Sequence, residues 1–104
     1  MTTRYDRYGW VSADLDVVKN MVSRELQISF EERWSDEWGG RYWSTAIAAS
    51  PGVDLVANFR DEDGALLEDK RPEVTVILDS TGLTQEGCDI VERLGGQVLS
   101  SRII

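Results

Sequence analysis

Apolar and polar positions along the chain fall into two kinds of period. From Leu15 to Leu26 the apolar residues are Leu15, Val18, Met21, Val22 and Leu26, with Asp16, Lys19, Asn20 and Ser23 between them. Spacing of three and four puts one apolar stripe on a helix, and Met21 in that stripe is core filler. Ser12 or Asp14 caps its start. Before it, Tyr5 to Val11 is aromatic and β-branched and predicts a first strand. After it, Ile28 to Ser35 alternates: Ile28, Phe30, Glu32 and Trp34 share one face, and Ser29, Glu31, Arg33 and Ser35 the other. That alternation puts Trp34 on the core side with Phe30, and Tyr42 stands opposite it. Two glycines, Gly39 and Gly40, permit the positive φ of a hairpin turn. Arg41 to Ala48 returns as the partner strand, with Trp43 on the face opposite Tyr42, until Ser50-Pro51-Gly52 breaks the run.

The second half repeats the logic. Val53 to Phe59 predicts a strand, and Asp61-Glu62-Asp63-Gly64 a polar turn. Ala65 to Pro72 reads as a loop or a frayed extension. Val74 to Leu78 reads as a short central strand buried on both faces, ended by Asp79-Ser80-Thr81-Gly82. Thr84 caps a second helix whose apolar side is Leu83, Gly87, Ile90, Val91 and Leu94, and Gly95-Gly96 stops it. Val98 to Ile104 closes the chain as a strand. The order β-α-β-β-β-β-α-β predicts an α+β two-layer sandwich. Its closest simple pattern is ferredoxin-like, a split β-α-β arrangement with an enlarged, mostly antiparallel sheet and two helices on one face. At 104 residues, 1–104 reads as a single domain.

Composition narrows the chemistry. There is no histidine, so Ser/His and Cys/His nucleophile pairs and most zinc sites are excluded. The single cysteine, Cys88, makes no internal disulfide and sits among Glu86, Asp89 and Glu92, a poor setting for a thiolate. It reads as a packing residue or an idle surface thiol. No apolar run approaches a membrane span, and MTTRYDRYGW lacks the apolar centre of a signal peptide, so a cytoplasmic location is expected. The glycine pairs form neither a dinucleotide fingerprint nor a P-loop, and no cofactor is expected.

The formal net charge is -8. Residues 1–30 are neutral, whereas 31–37 carry four acids against one base and 54–79 carry eight against three. Direct nucleic-acid binding is disfavoured, because phosphate contacts need a basic surface. A basic protein partner is favoured by opposite fields, although the same charge also serves solubility. Asp61-Glu62-Asp63-Gly64 lacks the ligand spacing of a calcium loop and reads better as a turn. A glycosidase-type carboxylate pair would need a larger cleft. No catalytic or metal-ligating set is assigned.

The segment Phe30 to Trp43 holds three of the four tryptophans beside four carboxylates. Aromatic rings flanked by acids suit an interface with a cationic protein. The other reading of the rings is a second small core under the 61–73 segment. The candidate contact residues are Glu31, Asp36, Glu37, Trp38, Trp43, Asp61, Glu62 and Asp63, with Trp38 and Trp43 as anchors.

The residues Phe30, Glu31, Ser35, Gly39, Gly40, Tyr42 and Trp43, followed by Asn58, Phe59, Asp61, Glu62, Asp63 and Gly64, form a pattern over about a third of the chain. This pattern resembles that of small bacterial immunity proteins of polymorphic or contact-dependent growth-inhibition toxin systems. The resemblance implies a small acidic cytoplasmic protein that neutralises a cognate toxin domain, a nuclease by expectation, by covering its basic active-site surface. It implies no catalytic residues. Two other functions stay open: a small-ligand regulatory module of ferredoxin-like type, and, least favoured, an enzyme acting through Asp and Glu alone. Either a monomer or a homodimer fits.

Overall fold

The computed structural model describes residues 2–46, 49–59, 66, 68 and 70–104. The expected Asp61-Glu62-Asp63-Gly64 turn lies outside the described residues, as do residues 65, 67 and 69 of the loop after it. The elements are β1 (Arg4–Val11), α1 (Leu15–Leu26), β2 (Glu31–Ser35), a single 3-10 turn at Asp36–Trp38, β3 (Gly40–Ser44), β4 (Gly52–Ala57), β5 (Val74–Thr81), α2 (Gln85–Arg93) and β6 (Gln97–Ile103). They form an α+β domain with one six-stranded sheet in the order β2-β3-β4-β5-β1-β6, every neighbouring pair antiparallel. As a whole this is not the ferredoxin-like strand order, because the β2–β3 hairpin extends the sheet beyond β4.

Local chemistry fixes both helices. The Asp14 side chain accepts from the Val17 N–H at the start of α1. At its end Gln27 turns left-handed, and the Ile28 N–H reaches back to the Ser23 carbonyl. Thr84 accepts from the Gly87 N–H at the start of α2. There the Gly95 N–H bonds the Glu92 carbonyl and the Gly96 N–H bonds that of Val91, a glycine-terminated Schellman ending.

Both helices pack on the same face. Val18 and Val22 of α1 and Cys88 and Val91 of α2 join Tyr8, Trp10, Val53, Leu55, Val76 and Leu78 in one buried core. A smaller cluster on the opposite face holds Val56, Val74 and Ile77, with Trp38, Tyr42 and Leu99 against it. β5 therefore contributes to both clusters, which is why Val76, Ile77 and Leu78 are apolar and buried in succession.

Several boundaries differ from the expectation; β4, for one, ends at Ala57 rather than Phe59. β5 continues through Asp79, Ser80 and Thr81 because β1 pairs with all three, and Arg7 neutralises Asp79 across the ladder. β3 ends at Ser44 rather than Ala48, and β2 begins at Glu31 rather than Ile28. Its partner strand supplies pairing only as far as Ser44.

Candidate functional site

The hairpin β2–β3 lies at one end of the sheet, with β2 as the outermost strand. Its register pairs Glu32 with Trp43, Arg33 with Tyr42, and Trp34 with Arg41. Tyr42 thus stands across from Arg33, not from Trp34, and the two rings face opposite sides of the sheet. Trp34 shares the helix-bearing side with Phe30, as the alternation implies, yet it is 74 % exposed. This exposure has a simple cause. Two helices, each about 10 Å across, cover about four strands spaced at about 4.8 Å, and β2 lies beyond them.

The two tryptophans assigned as anchors are both engaged within the molecule. Trp38 is half-buried on the opposite face of the sheet, against the smaller apolar cluster, with its ring 4.7 Å from that of Tyr42 at a steep angle. Trp38 and Tyr42 thus border a second small core; residues 61–65, 67 and 69 of the segment expected to lie over it are outside the described residues. Trp43 is half-buried under α1, and its Nε1 donates to Asp16 Oδ1 at 2.9 Å. The Lys19 ammonium lies 4.4 Å from its ring centre and the Arg41 guanidinium 5.5 Å. The freely presented ring is Trp34, which was not among the expected contact residues.

The acids divide similarly. Glu31, Glu32, Asp36 and Glu37 are exposed. Glu31 accepts from Arg33 at 2.8 Å, an ion pair at the surface. Asp36 and Glu37 occupy the 3-10 turn, whose last residue is followed by Gly39 in a left-handed conformation. A Cβ at Gly39 would lie 2.6 Å from Cγ of Phe59, so the turn rests directly on that ring. The structure therefore brings Glu31, Glu32, Trp34, Asp36 and Glu37 onto one hairpin. Asp61, Glu62 and Asp63 lie outside the described residues. Glu32 and Trp34 could have been singled out earlier by one signal: charges on both faces of a short strand are characteristic of a sheet edge.

Asp16 holds this hairpin to α1. Its Oδ2 accepts from Arg41 at 3.0 Å while Oδ1 accepts from Trp43. The Arg41 hydrogen bond first, and the indole N–H second, hold its carboxyl below the usual carboxylate range.

A second feature lies on the sheet face away from the helices. A concavity of about 590 Å³ is lined by Tyr5, Arg7, Asp54, Asp79, Thr81 and Arg102, among others. Arg7 grips Asp79 with two bonds, at 2.7 and 3.0 Å, and Glu68 with one at 3.2 Å. Arg102 stacks 5.4 Å from the Tyr5 ring.

Comparison with known protein families, curated proteins and solved structures finds no match.

The hairpin and the concavity thus stand on their own chemistry. Among the described residues no group of three or more Cys, Asp or Glu side chains is arranged to hold a metal ion. None of the described helices is long and apolar enough to cross a membrane. Cys88 is buried, with its Sγ 3.6 Å from Asp6 Oδ2, and burial pushes its thiol pKa up. Asp6 is itself buried and is held by Arg4 at 2.9 Å and Ser101 at 2.6 Å. This cluster ties β1 to β6 and α2, and it offers no activated nucleophile.

Proposed function

We propose that the chain is an immunity-type inhibitor, a binding protein rather than an enzyme, that covers the basic surface of a cognate toxin domain. The observation that carries this reading is the exposed indole of Trp34 on a hairpin that also exposes the carboxylates of Glu31, Glu32, Asp36 and Glu37, with Glu32 on the same face as the ring. A large ring supplies anchoring area and the acids supply long-range attraction to lysine and arginine. The net charge of -8 favours the same kind of partner. Asp61, Glu62 and Asp63 keep their place in the proposed contact set by the resemblance to bacterial immunity proteins alone. Trp38 and Trp43 support the hairpin from its two faces instead of anchoring a partner.

The frame suits the task. In β4-β5-β1-β6 we read a ferredoxin-like core, with each helix following a strand, and in β2–β3 an insertion that carries the contact surface to one end.

The test is co-expression with the toxin encoded beside this chain. Rescue of growth and a complex at micromolar concentration are expected. Trp34→Ala should weaken the complex by about 2 kcal/mol, roughly thirtyfold, with the fold unchanged by circular dichroism. Absence of both rescue and complex overturns the reading. The concavity beside Arg7 and Arg102 favours a second reading, a small charged ligand. Thermal stabilisation by an amino acid or nucleotide, abolished in Arg102→Ala, would support that reading instead.

A further inference from the structure

The backbone of β2 has a direction that its side chains do not reveal. The Thr45 N–H donates to the Val53 carbonyl at 3.0 Å, so Thr45 faces β4. Backbone polar groups alternate sides along a strand, so Trp43 also faces β4, while Ser44 and Tyr42 face β2. Ser44 pairs with Glu31 and Tyr42 with Arg33. Glu31 and Arg33 therefore spend their N–H and C=O groups on β3, and those of Glu32 and Trp34 point outward from the sheet. The pairing of β2 with β3 runs without a bulge, and no proline interrupts β2. The outward side is a straight, unpaired template.

We infer that this edge takes up an extended, lysine- or arginine-rich segment of the partner protein as a seventh strand. The inference rests on the inhibitor reading for the partner's charge and goes beyond it in the mode of binding. Main-chain bonds to Glu32 and Trp34 supply the pairing, and neighbouring side chains supply the choice. A basic residue beside Glu32 forms an ion pair. One beside Trp34 lies against the exposed indole, whose ring runs over Gly40 and leaves its outer face open.

The opposite edge supplies the contrast. Thr3 and Ile104 exchange both backbone bonds, at 2.8 and 2.9 Å, so the outward groups of β6 belong to Ser101 and Ile103. β6 carries Arg102 and no carboxylate. It has the same free backbone and the wrong charge for a basic segment.

The experiment uses the intact protein and a capped octapeptide of alternating lysine and threonine at millimolar concentration. Amide exchange is read by NMR. The Glu32 and Trp34 amides should slow by about tenfold near saturation, since a paired amide exchanges only on opening. Those of Ser101 and Ile103 should not change. The same peptide with glutamate for lysine should protect neither edge. Replacing Trp34 by its α-hydroxy analogue removes one outward N–H and keeps the indole; it should weaken binding by about tenfold. Strand addition is overturned if the indole responds while the Glu32 and Trp34 amides stay unprotected, or if β6 is protected equally. The inhibitor reading survives that outcome, because side-chain occlusion needs no added strand. If the peptide protects β2 but co-expression gives no rescue, the edge site stands and the inhibitor reading falls.

Discussion

Asp16 sits in the first turn of α1 and accepts from two side chains of β3, Arg41 and Trp43. A carboxylate there also meets the positive end of the helix. Its folded-state pKa is depressed, so the stabilisation it gives is complete above its unfolded value of about 3.9 and disappears as pH falls through the lower folded value. Asp16→Ala should lower stability by about 1 kcal/mol near neutral pH, a modest figure because the pair is half-exposed. Urea unfolding of the two proteins should show that gap unchanged down to about pH 5 and closing below about pH 4. A gap that persisted at low pH would mean that packing, not charge, is what Asp16 contributes. None of this coupling could be read from the sequence, because residues 16, 41 and 43 meet only once α1 folds back over the sheet.

At the scale of the element, α1 was legible from end to end. Its stripe of Leu15, Val18, Met21, Val22 and Leu26 matches the helix Leu15–Leu26, and the capping side chain is Asp14. The hairpin was legible as a hairpin, with Gly39 and Gly40 at positive φ in its turn. What alternation could not supply was cover. It assigns Trp34 to a side of the sheet without saying whether a helix lies above it, and that depends on where β2 sits in the strand order. It likewise could not show that Trp38 would be drawn down by Tyr42 and the cluster around Ile77. The turn itself is testable. Gly39→Ala must hold a side chain at φ 77° and displace the Phe59 ring. Gly82→Ala meets the same backbone penalty at φ 82° but has no heavy atom nearer than 3.8 Å. Thermal unfolding should show the Gly82 variant losing about 1 kcal/mol and the Gly39 variant at least about 2 kcal/mol. Equal losses would show that Phe59 moves aside at little cost.

For the whole molecule, two helices on one face of an antiparallel sheet followed from the element order, because each helix comes after a strand and must bury its stripe against it. The complete strand order did not follow. Nothing in the local pattern of β2 and β3 says that they join outside β4. The charge distribution was legible, and under the proposed function it bears on a rate. If the acids of the hairpin steer a basic partner, raising ionic strength from about 0.05 to 0.5 M should slow association by about tenfold or more and change dissociation little. Stopped-flow tryptophan fluorescence would follow it. A salt-independent association rate would remove steering from the account.

The bare rim at β2 also bears on what this protein does with copies of itself. An open strand is where identical chains begin to zip into fibrils. Here two such rims stacked in parallel and in register, as in a fibril, would set Glu31 and Glu32 of one against the same carboxylates of the other. Mutual repulsion then discourages stacking, so a margin that can stay unsealed for a stranger of opposite charge is guarded against its own kind.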